Sequence, residues 1–208
     1  RQAPLRRPRL SSDSMDRPAL RRRLIAERRA ALATAPALAE ALEAGLRAWL
    51  AGRPETIVGA YWPIRGEFDP LPALVAWRSA APGRRVGLPV VEPATKAMAF
   101  LEWYPACPMG EDAYGIPEPR GTAPLVPDLL LVPCVGFGPG GIRLGYGGGY
   151  YDRHLAAAEP RPATLGLALG RSFVPELEAG PHDIPLDAVL TEDGLAAFAA
   201  APTGGNGR

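Results

Sequence analysis

The sequence predicts an α/β fold, a three-layer sandwich with a mainly parallel central sheet flanked by helices. Three observations carry that expectation. Short β-branched or apolar runs alternate with stretches whose apolar residues recur at helical spacing, the pattern of βαβ units. Leu129 to Val132 is a continuous apolar run fenced by Pro127 and Pro133, which suits a parallel strand buried on both faces. A glycine-rich segment and Glu67 each come just after a predicted strand, where open α/β sheets bind their ligands.

Taken in order, Asp16 caps a first helix with Pro18 in its opening turn, and Leu20, Leu24 and Ile25 carry it towards Leu32. A second helix starts near Pro36, with Leu38, Leu42, Leu46 and Leu50 on one face. Thr56 to Trp62 is β-branched and aromatic, hence a strand. Asp69 and Pro70 then open a helix over Leu71, Leu74, Val75 and Trp77. Arg85 to Val91 and Ala97 to Tyr104 are the next two strands, and Tyr104 to Val126 is a long loop rich in proline and glycine. After the strand at Leu129 come the glycine cluster, a helix from Tyr150 to Ala158, a strand from Thr164 to Leu169 and a last short one from Ala188 to Leu190. The expected organisation is a disordered Arg/Pro-rich tail over 1–14, one catalytic domain over 15–200 and a flexible tail over 201–208.

Composition narrows the function. The chain has 208 residues, 47% hydrophobic and 22% charged, with a formal net charge of +1, so no global field recruits nucleic acid or membrane. Ten arginines fall within the first 29 residues, yet lysine occurs once, as Lys96, against 22 arginines. That skew points to a GC-rich genome, so arginine position carries more weight than arginine number. Cys107 and Cys134 lie far apart, which supports neither a zinc site nor a disulfide framework. A reducing cytoplasm is the expected compartment, and no apolar run approaches a membrane span.

The segment RLGYGGGYYDR, Arg143 to Arg153, is the strongest functional signal. Glycines this dense let backbone amides approach a ligand. Arg143 offers a fork of donors that suits phosphate, and Asp152 a hard oxygen of the kind Mg²⁺ accepts. The glycines alone would also fit a plain strand-to-helix turn; the flanking arginine and the Tyr-Tyr-Asp-Arg run favour a polyphosphate cradle. A Walker loop is excluded because the chain has no Gly-Lys pair. Gly136, Gly138 and Gly141 fit GxGxxG, but Pro139 and Gly140 interrupt the helix that a dinucleotide site requires. There is no GxSxG elbow, Cys134 suits the core better than a nucleophile's post, and His154 suits a surface position. Asp183, in a loop held between Pro181 and Pro185, fits either an aimed carboxylate or an Asx turn.

These residues resemble the signature of the 5-formyltetrahydrofolate cyclo-ligase family, also called methenyltetrahydrofolate synthetases. The likeness extends beyond the glycine motif and its preceding strand LLLVPCVGFG. Arg17, Leu20 and Arg21 are similar to the family's basic-x-x-Leu-Arg start, and YWPIRGEFD from Tyr61 to Asp69 resembles its strand, loop and glutamate. RVGLPVV from Arg85, YGIPEP from Tyr114, HDIPLD from His182 and the Leu190–Glu192 segment complete the order. Arg17 stands where lysine is more usual, Cys134 where glycine is frequent, Gly138 where aspartate is common and Gly148 where some relatives have lysine.

The resemblance implies ATP- and Mg²⁺-dependent conversion of 5-formyltetrahydrofolate to 5,10-methenyltetrahydrofolate, ADP and phosphate. It implies ATP contacts at Arg17, Arg21, Arg143, Leu144, Gly145, Tyr146, Gly147, Gly148, Gly149, Tyr150 and Tyr151. Metal ligands would be Asp152 and Asp183, and folate contacts Trp62, Glu67 and Tyr151, with Arg143 and Glu67 as the catalytic pair. Glu67 alone would equally suit a carboxylate favouring the following helix through its dipole. Tyr61, Trp62, Tyr114 and Tyr151 fit aromatic walls for a pterin or simply core. The expected partners are folate and ATP, without nucleic acid or membrane, for a monomer. Two other functions fit parts of the sequence: a sugar-phosphate or acyl-CoA enzyme of similar architecture, and a non-catalytic folate- or RNA-binding paralogue.

Overall fold

The computed structural model describes residues 16–198. The tails expected over 1–14 and 201–208 lie outside the described residues. Helix α1 (Arg17–Thr34) starts where the Asp16 carboxylate accepts from the Ala19 amide at 3.1 Å, with Pro18 in the first turn. Helix α2 (Pro36–Ala51) follows at once and buries Leu42, Leu46 and Leu50 completely. Then come β1 (Ile57–Gly59), α3 (Leu71–Ser79), β2 (Arg85–Glu92), β3 (Ala97–Trp103), β4 (Met109–Glu111), β5 (Pro117–Pro119), β6 (Pro124–Leu125) and β7 (Leu129–Pro133). The chain continues through β8 (Gly136–Phe137), β9 (Arg143–Leu144), α4 (Tyr150–Ala157), β10 (Ala163–Leu167), β11 (Ala188–Thr191) and β12 (Gly194–Ala197).

Eight strands form one sheet in the order β12-β11-β10-β7-β1-β2-β3-β6. The five central strands, β11 to β2, are parallel, and β12, β3 and β6 join antiparallel at the edges. Side chains of β7 divide between two cores because successive residues point to opposite faces. Leu129 and Leu131 join the cluster of Leu42, Leu46 and Leu74 from α2 and α3, whereas Leu130 and Val132 join that of Phe100 from β3 and Leu155 from α4. The three-layer α/β sandwich predicted from sequence is therefore the observed fold. A third cluster seats Leu20 and Leu24 of α1 on Val135, Ile142 and Leu144, beside the small β8–β9 hairpin. No helix among the described residues is long and apolar enough to cross a membrane.

Several boundaries differ from expectation. The predicted Thr56–Trp62 strand shortens to β1 because the chain turns through Pro63, Arg65 (φ 52°) and Gly66 (φ 71°). The expected loop over Tyr104–Val126 contains the β4–β5 hairpin and β6. Pro117, Pro119 and Pro124 disguise those strands, since proline gives the ladder no N–H. The segment after Gly141 is the strand β9, not a helix, which disposes of a dinucleotide fingerprint. His154 is half-buried rather than on the surface: its Nδ1 lies 3.1 Å from the Met98 carbonyl and its ring meets Phe100 edge-on.

Candidate active site

The glycine segment is built by the hairpin that follows β7. The Val135 amide bonds the Leu144 carbonyl at 2.9 Å and the Gly138 amide bonds the Ile142 carbonyl at 2.8 Å, so Arg143 is delivered beside the carboxyl end of the sheet. The loop of Gly145–Gly149 then leads into α4. Gly149 occupies the cap position of α4 at φ 70°, and Gly147 lies at φ 93°. Side chains rarely tolerate that left-handed region. Because α4 starts immediately after, the amides of its first turn have no partner within the helix and face the loop's side of the molecule.

Arg143 is buried, and its Nη2 donates to Asp152 Oδ2 at 2.8 Å. Its Nη1 is buried without a hydrogen-bond partner. An unpaired buried donor is costly, so this atom marks where an acceptor belongs. The guanidinium also lies 5.6 Å above the Tyr151 ring. Asp152 Oδ1 accepts from the Ile184 amide at 3.1 Å, which ties the first turn of α4 to the loop that carries Asp183.

Helix α1 clips the same region. Arg17 Nη2 reaches Asp183 Oδ2 at 3.0 Å and the Glu178 carbonyl at 2.6 Å, while Arg21 Nε donates to the Gly145 carbonyl at 2.7 Å. Asp183 also accepts from the Gly180 amide at 2.8 Å, so its turn and its ion pair coexist. Burial pushes the Asp183 carboxyl up, but the Gly180 amide, Arg17 and Arg143 outweigh it and hold the group below its ordinary value.

Glu67 joins this cluster through the glycine loop. Its Oε1 accepts from the Tyr146 hydroxyl at 2.6 Å and its Oε2 from the Ile64 amide at 2.8 Å. The helix-dipole alternative falls away, because Asp69 takes that place by accepting from the Leu71 amide at 2.9 Å. Burial raises the Glu67 carboxyl despite opposition from Tyr146, Ile64, Arg28 and Arg65. Arg28, absent from the sequence-based site, is buried here and donates to the Tyr146 hydroxyl at 2.8 Å. A signal for it existed: it follows Leu20 and Leu24 on the stripe of α1 that should be apolar.

The structure thus brings together Arg17, Arg21, Glu67, Arg143, Gly145, Tyr146, Tyr151, Asp152 and Asp183. Leu144 is fully buried between α1 and the hairpin, and the Gly148 carbonyl is taken by Arg153 at 3.0 Å. Tyr150 turns to the other side, its hydroxyl 2.9 Å from that of Tyr114. Trp62 is half-buried against the α2–α3 core, and Tyr61 is core, donating to the Phe68 carbonyl at 2.9 Å. Burial pushes the Cys134 thiol up to about 12, which leaves it inert as a nucleophile.

Among the described residues no three His, Cys, Asp or Glu side chains converge on one point. Mg²⁺ does not need them, since it commonly takes one or two carboxylates together with phosphate oxygens and water. Asp152 and Asp183 are two carboxylates of that kind, paired with Arg143 and Arg17 and carried on segments joined by the Ile184 amide.

Comparison with known proteins identifies the family. Residues 13–192 match the model of the 5-formyltetrahydrofolate cyclo-ligase family. The 5-formyltetrahydrofolate cyclo-ligase of Escherichia coli (strain K12) is 35% identical over 142 residues, covering 64% of this chain and 76% of that protein. That of Mycolicibacterium smegmatis is 30% identical over 158 residues, covering 70% and 79%. The NMR structure of Aquifex aeolicus 5,10-methenyltetrahydrofolate synthetase is similar with a TM-score of 0.71 at 27% identity, over 90% of this chain and 95% of that one. With the match running from the first helix to β11, the chain belongs to the 5-formyltetrahydrofolate cyclo-ligase family.

Proposed function

We propose that this protein, through one catalytic domain over residues 15–200, cyclises 5-formyltetrahydrofolate to 5,10-methenyltetrahydrofolate with consumption of ATP and release of ADP and phosphate. The observation that carries the reading is the unpartnered Nη1 of buried Arg143, set beside the glycine loop and linked through Asp152 to the Asp183 loop. A triphosphate supplies the acceptor which that donor lacks. The names of the relatives supply the folate.

The chemistry suits these residues. A formamide oxygen is a poor leaving group. Its attack on the γ-phosphorus expels ADP and converts that oxygen into a phosphate ester. N10 then adds to the activated carbon, the ring closes, and loss of the N10 proton and of phosphate leaves the methenyl bridge. Such phosphoryl transfer depends on alignment and on spreading charge over phosphate oxygens. Arg143, Arg21, Arg17 and the loop amides provide the positive field. Glu67, held by the Tyr146 hydroxyl and the Ile64 amide, would orient the reacting nitrogens. Asp152 and Asp183 would hold Mg²⁺, which when bound neutralises charge on the phosphates. No covalent nucleophile is needed, in keeping with the inert Cys134 thiol.

The test mixes purified protein with 5-formyltetrahydrofolate, Mg²⁺ and ATP and follows the absorbance band of the methenyl product. Product is expected only when all are present, and Asp152→Ala should cut turnover by about 10²–10³ with an unchanged circular dichroism spectrum. No band above the ATP-free control rejects the reading; an undiminished Asp152→Ala rate rejects the metal assignment.

A further inference from the structure

Two arginines among the described residues are buried, Arg143 at 8% exposure and Arg28 at 4%. The proposed reaction uses the first and leaves the second without a role. Arg28 occupies a place on α1 where Leu20 and Leu24 seat the helix on its hairpin. An apolar side chain would pack there without taking a charge out of water, so the guanidinium needs another reason. Its hydrogen bonds are incomplete as structural anchors. Nη1 reaches the Cys134 carbonyl at 3.4 Å, Nη2 reaches the Arg65 carbonyl at 3.1 Å and the Tyr146 hydroxyl at 2.8 Å, and Nε has no partner.

Those partners sit on three separate segments: the end of β7, the turn before Glu67 and the glycine loop. The connection to Glu67 has a fixed polarity. A guanidinium only donates and a carboxylate only accepts, so the Tyr146 hydroxyl must accept from Arg28 and donate onward to Glu67 Oε1 at 2.6 Å. Arg28, Tyr61 and Glu67 also line a cavity of about 10 Å³, room for one water molecule.

We propose that Arg28 is a positioning residue: by fixing the Tyr146 hydroxyl it sets the aim of Glu67 and the placement of the glycine loop together. The folate held by Glu67 and the nucleotide held by the loop are then in register. This rests on the cyclo-ligase reading and assigns a role within the same site.

The groups that face Glu67 are Arg28 from α1, Tyr61 and Arg65 from its own loop, Cys134 after β7, Tyr146 from the glycine loop and Tyr151 from α4. Only Arg28 and Arg65 among them are cationic. Arg65 is exposed, its guanidinium 5.4 Å from the Tyr146 ring.

Two variants test the assignment. Arg28→Leu completes the apolar stripe of α1, and Tyr146→Phe removes only the bridging hydroxyl. In the methenyl assay Arg28→Leu is expected to lose about 10²-fold in kcat, the scale of a misaligned reactant, while melting no lower than the wild type. Loss of the cation beside Glu67 should also move the acid limb of the kcat/KM profile to higher pH, and Arg28→Lys should keep the limb in place. Tyr146→Phe should lower kcat by at least about tenfold. Arg28→Leu turnover within about twofold of wild type overturns the proposal. So does a loss of activity that merely parallels a lower melting temperature with an unmoved acid limb. If Arg28→Leu does not fold, Tyr146→Phe decides, and an unaltered kcat overturns the proposal. A wild type that forms no methenyl product removes the cyclo-ligase reading and this assignment with it, whereas an active wild type with indifferent variants removes the assignment alone.

Discussion

Glu67 illustrates how a half-buried carboxylate trades stability for chemistry. Burial pushes its carboxyl above the ordinary glutamate value, and the Tyr146 hydroxyl, the Ile64 amide, Arg28 and Arg65 pull it only part of the way back. A group whose folded pKa exceeds its unfolded one binds protons more readily when folded, so its ionised form weakens the fold above the folded pKa. That penalty shrinks as pH falls through the folded pKa and is gone below the unfolded one. Glu67→Gln removes the charge and keeps the shape. It should melt above the wild type at about pH 8, with the gap closing towards about pH 4, while turnover drops by about 10²–10³. Calorimetry across pH checks the sign; a variant that melts lower at alkaline pH contradicts it. Asp183 has the opposite sign: its depressed pKa contributes stability at neutral pH that is lost as pH falls through the folded value.

The β8–β9 hairpin, which carries Arg143, is held against the Asp183 loop by Gly141. This residue lies at φ 81°, and a Cβ built on it would stand 2.3 Å from the Leu186 carbonyl oxygen, whose residue bonds back to Gly141. Gly140 beside it lies at φ 67° but faces open space. Gly140→Ala should therefore cost only backbone strain, of order 1 kcal/mol. Gly141→Ala adds a steric clash and should cost about 3 kcal/mol or more, with reduced turnover. Urea titrations of the pair measure the difference, and equal midpoints refute it. The same hairpin marks the limit of sequence reading. Helices α1 to α3 were legible because apolar spacing and a first-turn proline agree at their starts, and α4 because it follows directly on the glycine cluster. The strands β8 and β9 hold two residues each, too short for any alternation, and their pairing comes from the fold around them. Strand β12 is Gly-Leu-Ala-Ala, without β propensity, and forms because the turn after β11 returns it to the edge.

The site gathers segments from the two ends of the chain: α1 with Arg17, Arg21 and Arg28, the turn at Glu67, the glycine loop, and the Asp183 loop. A local motif pointed to the glycine loop and Asp152 in the sequence, and the family resemblance to both clip arginines. Arg28 was not, because its partners lie 37, 106 and 118 residues away and nothing local distinguishes it from its surface neighbours except the stripe it interrupts. An assembly of this kind has a dynamic consequence. Arg17 to Asp183 and Glu178, and Arg21 to Gly145, are the polar contacts that tie the first turns of α1 to the site, so those turns loosen locally at less cost than the sheet opens. A nucleotide lodged against Arg143 Nη1 would bridge those segments and draw their opening energies up together, in proportion to its occupancy. Amide hydrogen exchange with and without ATP and Mg²⁺ should then show joint protection in three stretches, the first turns of α1, residues 145–152 and residues 180–184. The β2–β3 ladder on the far side of the sheet should exchange at unchanged rates, because its opening follows the core and not the cleft. Protection confined to the glycine loop would mean that α1 and the Asp183 loop take no part in holding the nucleotide.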